Sequence, residues 1–350
     1  MTLRRFLSFC YLLFLTILAP PLYAQSSDNI SGSVIFQRPE TLDSRFFTLT
    51  FENDAFVGED DGFTNGLGLT YGRGPFTSFT KDNLPRPLLW LANRTHINRR
   101  PDKVRGVAYT LFQTIQTPND IAIPELQLDD IPYAGLLSLQ TIMYAWDRNS
   151  SDQLAFQIGV IGPIALADEA QTTIHELIGS QEPLGWDNQL ENELVLGVSA
   201  LRSQKLYRRY GPRFGMDVIG LAKGDIGTIL SSASAGLAVR VGTDMEFSHA
   251  TFDLKSDRHV NALALADSNK FYVYAGVTAK YVFNDILLDG NNFEDSHSAP
   301  LENAQNLITG GIVAKYGRFA YVFQLSSFSS RTELSSDREK LGALSVTVTF

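Results

Sequence analysis

The sequence predicts an all-β fold: a single transmembrane antiparallel β-barrel of about twelve strands with long extracellular loops. Three observations predict it. The chain opens with an export signal, its apolar residues recur at period two, and an aromatic residue, Phe350, closes the last apolar–polar alternation. A mean hydropathy of −0.05 with one long apolar run excludes a multi-span helical membrane protein. It does not exclude a barrel, whose strands dilute each lipid-facing residue with a polar one. A hydrophobic fraction of 44% over 350 residues excludes wholesale disorder, and a net charge of −9 argues against nucleic acid as a partner.

Residues 1–24 have the three parts of a secretory signal peptide. Arg4 and Arg5 give a positive start, Phe6 to Leu18 an apolar stretch, and Leu22-Tyr23-Ala24 a small residue before the expected cut ahead of Gln25. Thirteen apolar residues are too few to cross about 30 Å of hydrocarbon as a helix. Cleavage removes two arginines and no acid, taking the net charge from −9 to −11, and it removes Cys10, the one cysteine. The mature chain has no disulfide to form. Residues 25–45 read as an N-terminal periplasmic leader and 46–350 as the barrel.

Strands are expected near 46–55, 64–73, 104–115, 134–146, 152–162, 189–202, 211–223, 228–241, 270–284, 305–316, 318–328 and 341–350. In the ninth, Phe271, Val273, Ala275, Val277, Ala279 and Tyr281 make one face, and Lys270, Tyr272, Tyr274, Thr278 and Lys280 the other. Tyr71, Phe283, Tyr316 and Phe328 fall at strand ends, as interfacial girdles require. Long loops are expected at 74–103, 117–132, 163–188, 242–269 and 286–304, longer than turns alone need. Phe350 resembles the terminal residue by which outer-membrane barrels are handed to the barrel assembly machinery.

Two clusters could carry chemistry. In the first strand Phe47, Leu49 and Phe51 mark the lipid face, so Asn53 falls on that face, where an amide is costly without a partner. Asn53, Asp54 and Thr64 flank the acidic turn Gly58 to Gly62, and a hairpin brings them to one rim. Carboxylate, amide and hydroxyl oxygens suit a hard cation such as calcium, although a solvated acidic hairpin has the same composition. In the second cluster Asp168 is expected to cap a helix over 169–178, ended by Gly179. Ile174, Leu177 and Ile178 form its expected apolar side, with His175 beside them. A histidine near acids can serve as a general base at neutral pH, and a loop histidine can equally be inert. His96, His249, His259 and His297 read as surface residues. No Gly-Xaa-Ser-Xaa-Gly elbow and no phosphate loop occur.

At these clusters the sequence resembles the LpxR-type outer-membrane lipid A 3′-O-deacylases. The resemblance is carried by Glu52 to Phe56 with Phe63-Thr64-Asn65-Gly66, by Ile131 to Gly135, by Gly159 to Pro163, and by His175 followed by Gly185 to Glu193. It implies a twelve-stranded bacterial outer-membrane barrel with a calcium-dependent ester hydrolase site between wall and extracellular loops, and lipid A of lipopolysaccharide as substrate. It also implies catalytic roles for Asn53, Asp54, Thr64 and His175. Where the family has a glutamate six residues after the histidine, this chain has Gln181, with Glu182 beside it. Glutamine keeps an oxygen and loses the charge, so Glu182 becomes the candidate to join Asp54 as a metal ligand. The competing readings are a passive barrel, either small porin or loop scaffold, and a phospholipase using the same calcium and histidine chemistry.

Overall fold

A strand in a membrane wall must pair all its backbone groups, which a closed barrel alone allows without leaving an edge. A computed structural model describes residues 44–53, 65–249 and 269–350. Twelve antiparallel strands, each bonded to its chain neighbours, close when β1 pairs with β12. They are β1 (Ser44–Asn53), β2 (Asn65–Phe76), β3 (Val104–Gln116), β4 (Ala134–Trp146), β5 (Ser150–Ile161), β6 (Glu193–Tyr210), β7 (Gly215–Gly227), β8 (Leu230–Gly242), β9 (Lys270–Asp285), β10 (Ala304–Tyr316), β11 (Phe319–Phe328) and β12 (Glu339–Thr349). Among the described residues three α-helices lie between strands: α1 (Arg86–Arg94), α2 (Ala167–Ile178) and α3 (Ile286–Asp289). The expected signal peptide, most of the leader, Asp54, Thr64 and the acidic turn lie outside the described residues.

The register turns period two into two surfaces. Leu49, Leu69, Leu111, Leu139, Ile158 and Leu196 stand opposite one another in turn, forming one row around six strands. All are exposed on the outer wall, the lipid-facing band of a barrel. The alternate positions face inward. At the seam the Thr48 and Thr347 hydroxyls bond at 2.7 Å, and Thr50 bonds Ser345 at 2.9 Å. At the terminal rim the backbones of Arg45 and Phe350 exchange both hydrogen bonds, and Phe350 stacks on Phe47 at 5.8 Å.

Three expectations change. β6 runs on to Tyr210 and β7 starts at Gly215, because a bulge between Lys205 and Tyr207 lets Arg208 and Arg209 continue the ladder. Charged residues there read as loop, yet a strand end projecting past the bilayer tolerates them. Phe328 is buried with Leu307 and Leu341 inside the barrel and is no part of a girdle. The long connections also divide between rims. Those after β3, β5 and β9 leave the end opposite the termini, whereas 77–103 and the segment after β8 leave the terminal end. Of the four shortest turns, 147–149, 211–214 and 317–318 lie at the terminal rim and 228–229 at the other, a balance that marks the terminal rim as periplasmic.

Candidate active site

The rim opposite the termini carries a second outward row. Asn53 faces Asn65, Asn65 faces Ile115, and Ile115 faces Gly135. Asn53 and Ile115 share the parity of exposed Leu49 and Leu111, so this row lies on the outer wall. Over its β3–β4 end lies α2. Glycine at 135 makes that contact possible, since a Cβ there would fall 2.4 Å from the Ala167 methyl. Gln113, one outward position further into the wall than Ile115, donates its side-chain N–H to the Ala165 and Leu166 carbonyls at 2.7 and 3.1 Å. Ile115, Tyr133, Ala167 and Trp186 make one buried cluster, with the Tyr133 and Trp186 rings edge-to-face at 5.1 Å. Burial pushes the Tyr133 phenol up to about 12, so it remains a neutral donor to the Ile121 carbonyl at 3.3 Å.

The helix is amphipathic in the reverse of the expected sense. Its buried line is Ala167, Gln171 and His175, spaced four residues apart, while Leu177 is 81% exposed. A helix standing outside a lipid-facing wall can present apolar residues to lipid and polar ones to the wall. Its start also differs from the expectation. The helix begins at Ala167 after Leu166 in the left-handed region at φ 56°, with no side-chain cap. Asp168 sits inside the first turn and accepts from the Thr172 hydroxyl at 3.2 Å. Burial raises the Asp168 carboxyl above its ordinary value, aided by Glu169 and Asp187.

The far end sets the chemistry. Gly179 has the expected left-handed conformation at φ 70°, and the N–H groups of Gly179 and Ser180 both donate to the His175 carbonyl. The reversal brings the Gln181 carbonyl within 2.5 Å of His175 Nδ1. A carbonyl only accepts, so Nδ1 carries the proton and Nε2 keeps the basic lone pair. Thus residue 181 reaches the histidine through its main chain, while the side chains of Gln181 and Glu182 are exposed.

Gln171 was missed by sequence reasoning. It is fully buried, its Oε1 accepts from Trp186 Nε1 at 2.8 Å, and its Nε2 has no hydrogen-bond partner among the described residues. Spacing of four residues before His175 was its only signal. Asn53 ends β1, half-buried, between Asn65 and Gly342. The row from Asn53 to Gly135 therefore joins the first cluster to the wall beneath the second. Among the described residues no three His, Cys, Asp or Glu side chains gather as a metal site. The donors of this rim are hard oxygens, which fit calcium in kind. Among the other histidines read as surface residues, His259 lies outside the described residues and two need correction. His249 is buried at the terminal end, where its Nε2 lies 2.9 Å from the Asp147 carbonyl, and His96 lies 3.5 Å from Asp152.

A family model described as "Outer membrane protein LpxR" matches residues 7–350. Among solved structures, LpxR from Salmonella typhimurium superposes with a TM-score of 0.71 at 18% identity, covering 87% of this chain and 100% of that one. The β domain of the Bordetella autotransporter BrkA gives a TM-score of 0.42 at 9% identity, covering 89% and 100%. No curated protein matches the sequence.

Proposed function

The chain belongs to the LpxR family of outer-membrane proteins, and on that premise we propose that it hydrolyses an ester of lipid A, releasing the 3′-linked acyloxyacyl group. The observation that carries this reading is the hydrogen bond from His175 Nδ1 to the Gln181 carbonyl, which leaves Nε2 free as a base beside the lipid-facing wall.

In the proposed reaction His175 Nε2 takes a proton from water as the oxygen attacks the ester carbonyl. The tetrahedral species collapses, the acyl–oxygen bond breaks, and the sugar oxygen takes the proton from His175. One water is consumed, and a fatty acid and a free 3′-hydroxyl result. Gln171, one turn before His175, is buried and accepts from Trp186 Nε1 at 2.8 Å, which holds the helix face that carries His175. Calcium is the proposed cofactor, held by Asp54 with the Asn53 amide oxygen and Glu182 as further candidates, and when bound it would polarise the ester carbonyl. Thr64 is proposed to orient water or ligand.

Expression in a host lacking the activity, with lipid A read by mass spectrometry, tests the reading. Wild type is expected to remove the 3′ chains, and chelation of calcium to abolish this. His175→Asn keeps the shape and loses the base, so turnover should fall by about 10²–10⁴-fold. Retained 3′-deacylation in a His175→Asn protein that still shows a heat-modifiable barrel would overturn the assignment. Release of glycerophospholipid chains with lipid A intact would move the substrate to phospholipid.

A further inference from the structure

The connection between β2 and β3 has no part in the site above, and its composition departs from that of the chain. Residues 77–103 hold six lysines and arginines against two aspartates, within a protein of net charge −9. Two of the cations are spent on internal pairs: Lys103 is buried 2.7 Å from Asp152, and Arg100 lies 3.4 Å from Asp102. Lys81, Arg86, Arg94 and Arg99 remain exposed.

The segment is fastened at a definite depth. Phe79, Leu84, Ala92 and Ile97 are buried against Val107, Met143, Ala145, Leu154 and Ala200 on the outer wall. Val107, Met143, Leu154 and Ala200 form one register row. It lies four residues from the exposed row of Leu111, Leu139, Ile158 and Leu196, or about 13 Å along the strands toward the termini. The same row continues through Arg73 and Arg45 on the outer wall, where charge replaces the apolar residues of the exposed band, so α1 lies at the terminal margin of that band. The arginine fork of Arg105 locks the segment there, donating to the carbonyls of Thr77, Ile97, Arg100 and Lys103.

What α1 turns outward fits that depth. Trp90 is 58% exposed, and the Arg94 guanidinium sits 4.7 Å over its ring. Trp at this level, with arginines alongside, is the composition of a headgroup anchor. The rest of the rim agrees in sign, with Arg45, Arg208, Arg209, Arg213 and Arg318 exposed at the same end.

We propose that residues 77–103 form a basic collar that binds the phosphate headgroups of anionic glycerophospholipids in the leaflet at the terminal end. Charge complementarity selects this occupant, since a zwitterionic headgroup offers exposed arginines no net attraction.

Trp90 is the reporter, because the other two tryptophans, Trp146 and Trp186, are 6% and 4% exposed. The full-length barrel is reconstituted into phosphatidylcholine vesicles containing brominated phosphatidylglycerol or brominated phosphatidylcholine. Quenching is measured for wild type, with Trp90→Phe subtracted as background. The relative association constant of Trp90 for the anionic lipid should exceed that for phosphatidylcholine by at least about fivefold, the worth of one arginine near such a surface. It should fall toward one in Arg86→Gln/Arg94→Gln/Arg99→Gln and at 0.5 M salt, and persist in the corresponding triple lysine variant. Equal quenching by the two lipids in wild type, or a preference that survives both salt and the glutamine variant, would overturn the proposal. The salt series needs no substitution, so a misfolded variant would leave the test intact.

Discussion

At the scale of single residues, the position after the helix matters through its backbone. His175 is oriented by the Gln181 carbonyl, and every residue has a carbonyl. Gln181→Ala is therefore expected to leave activity within about threefold of wild type, since it removes an exposed side chain and no orienting bond. Gly179 is the sensitive neighbour. A Cβ there would meet nothing within 4 Å, so space does not forbid a side chain, but φ of +70° does. Gly179→Val should strain the turn by about 1–3 kcal/mol and displace the carbonyl. Turnover should then fall with the barrel intact. Steady-state kinetics on both variants checks this: loss in Gln181→Ala with activity kept in Gly179→Val would reverse the assignment of side chain and backbone.

At the scale of elements, the site is a helix laid on the outside of a wall, and Gly135 is the hinge of that contact. Gly135→Ala would place a methyl 2.4 Å from the Ala167 methyl, with neighbouring Ala165 also held by Gln113. Overpacking of this kind costs about 1–3 kcal/mol, and here it should act on α2 alone, since the β3–β4 ladder needs no change. Activity should drop and the 162–192 segment should become protease-sensitive while the barrel keeps its heat-modifiable mobility. Unchanged activity would mean that the helix does not need the wall.

Much of this element scale was legible beforehand. Strands such as β9 and β12 follow from alternation alone, because one parity must face lipid. The C-terminal stop at Gly179 was legible because only a left-handed residue lets the chain turn back there. The N-terminal stop was not: Asp168 looks like a cap, but the helix starts at Ala167 after left-handed Leu166 with no side-chain cap, and the chain before it is held to the wall by Gln113, 52 residues from Ala165. The buried face of α2 was misread for a related reason. Ile174 and Leu177 look like core until the wall beneath them is known to be the outside of a barrel.

At the scale of the whole molecule, the two rims differ in charge and the lumen between them is filled at one end. The rim bearing α2 exposes Asp129, Glu169, Glu176, Glu182 and Asp187, which suits divalent cations better than direct contact with lipid phosphates. At the terminal end the inward residues Asp217 and Arg240 are wholly buried and joined by two bonds of 2.6 and 2.8 Å. Tyr210 donates to the same carboxylate at 2.8 Å. Lys205 reaches the carbonyls of Met245 and Glu246, and Arg240 reaches that of Ser248, so the start of the β8–β9 connection crosses the lumen mouth. A passive pore needs this path open. Single-channel recording in planar bilayers is therefore expected to show no stable porin-like conductance, and a steady open level in wild type would favour the pore reading instead. Asp217→Asn supplies the complementary test. It leaves the buried Arg240 guanidinium without its carboxylate, a change that costs about 3–5 kcal/mol when a buried pair loses one partner. The temperature at which the barrel loses its resistance to detergent unfolding should fall markedly. Lipid A deacylation below that temperature should persist, because the rim that carries His175 is at the other end of the strands.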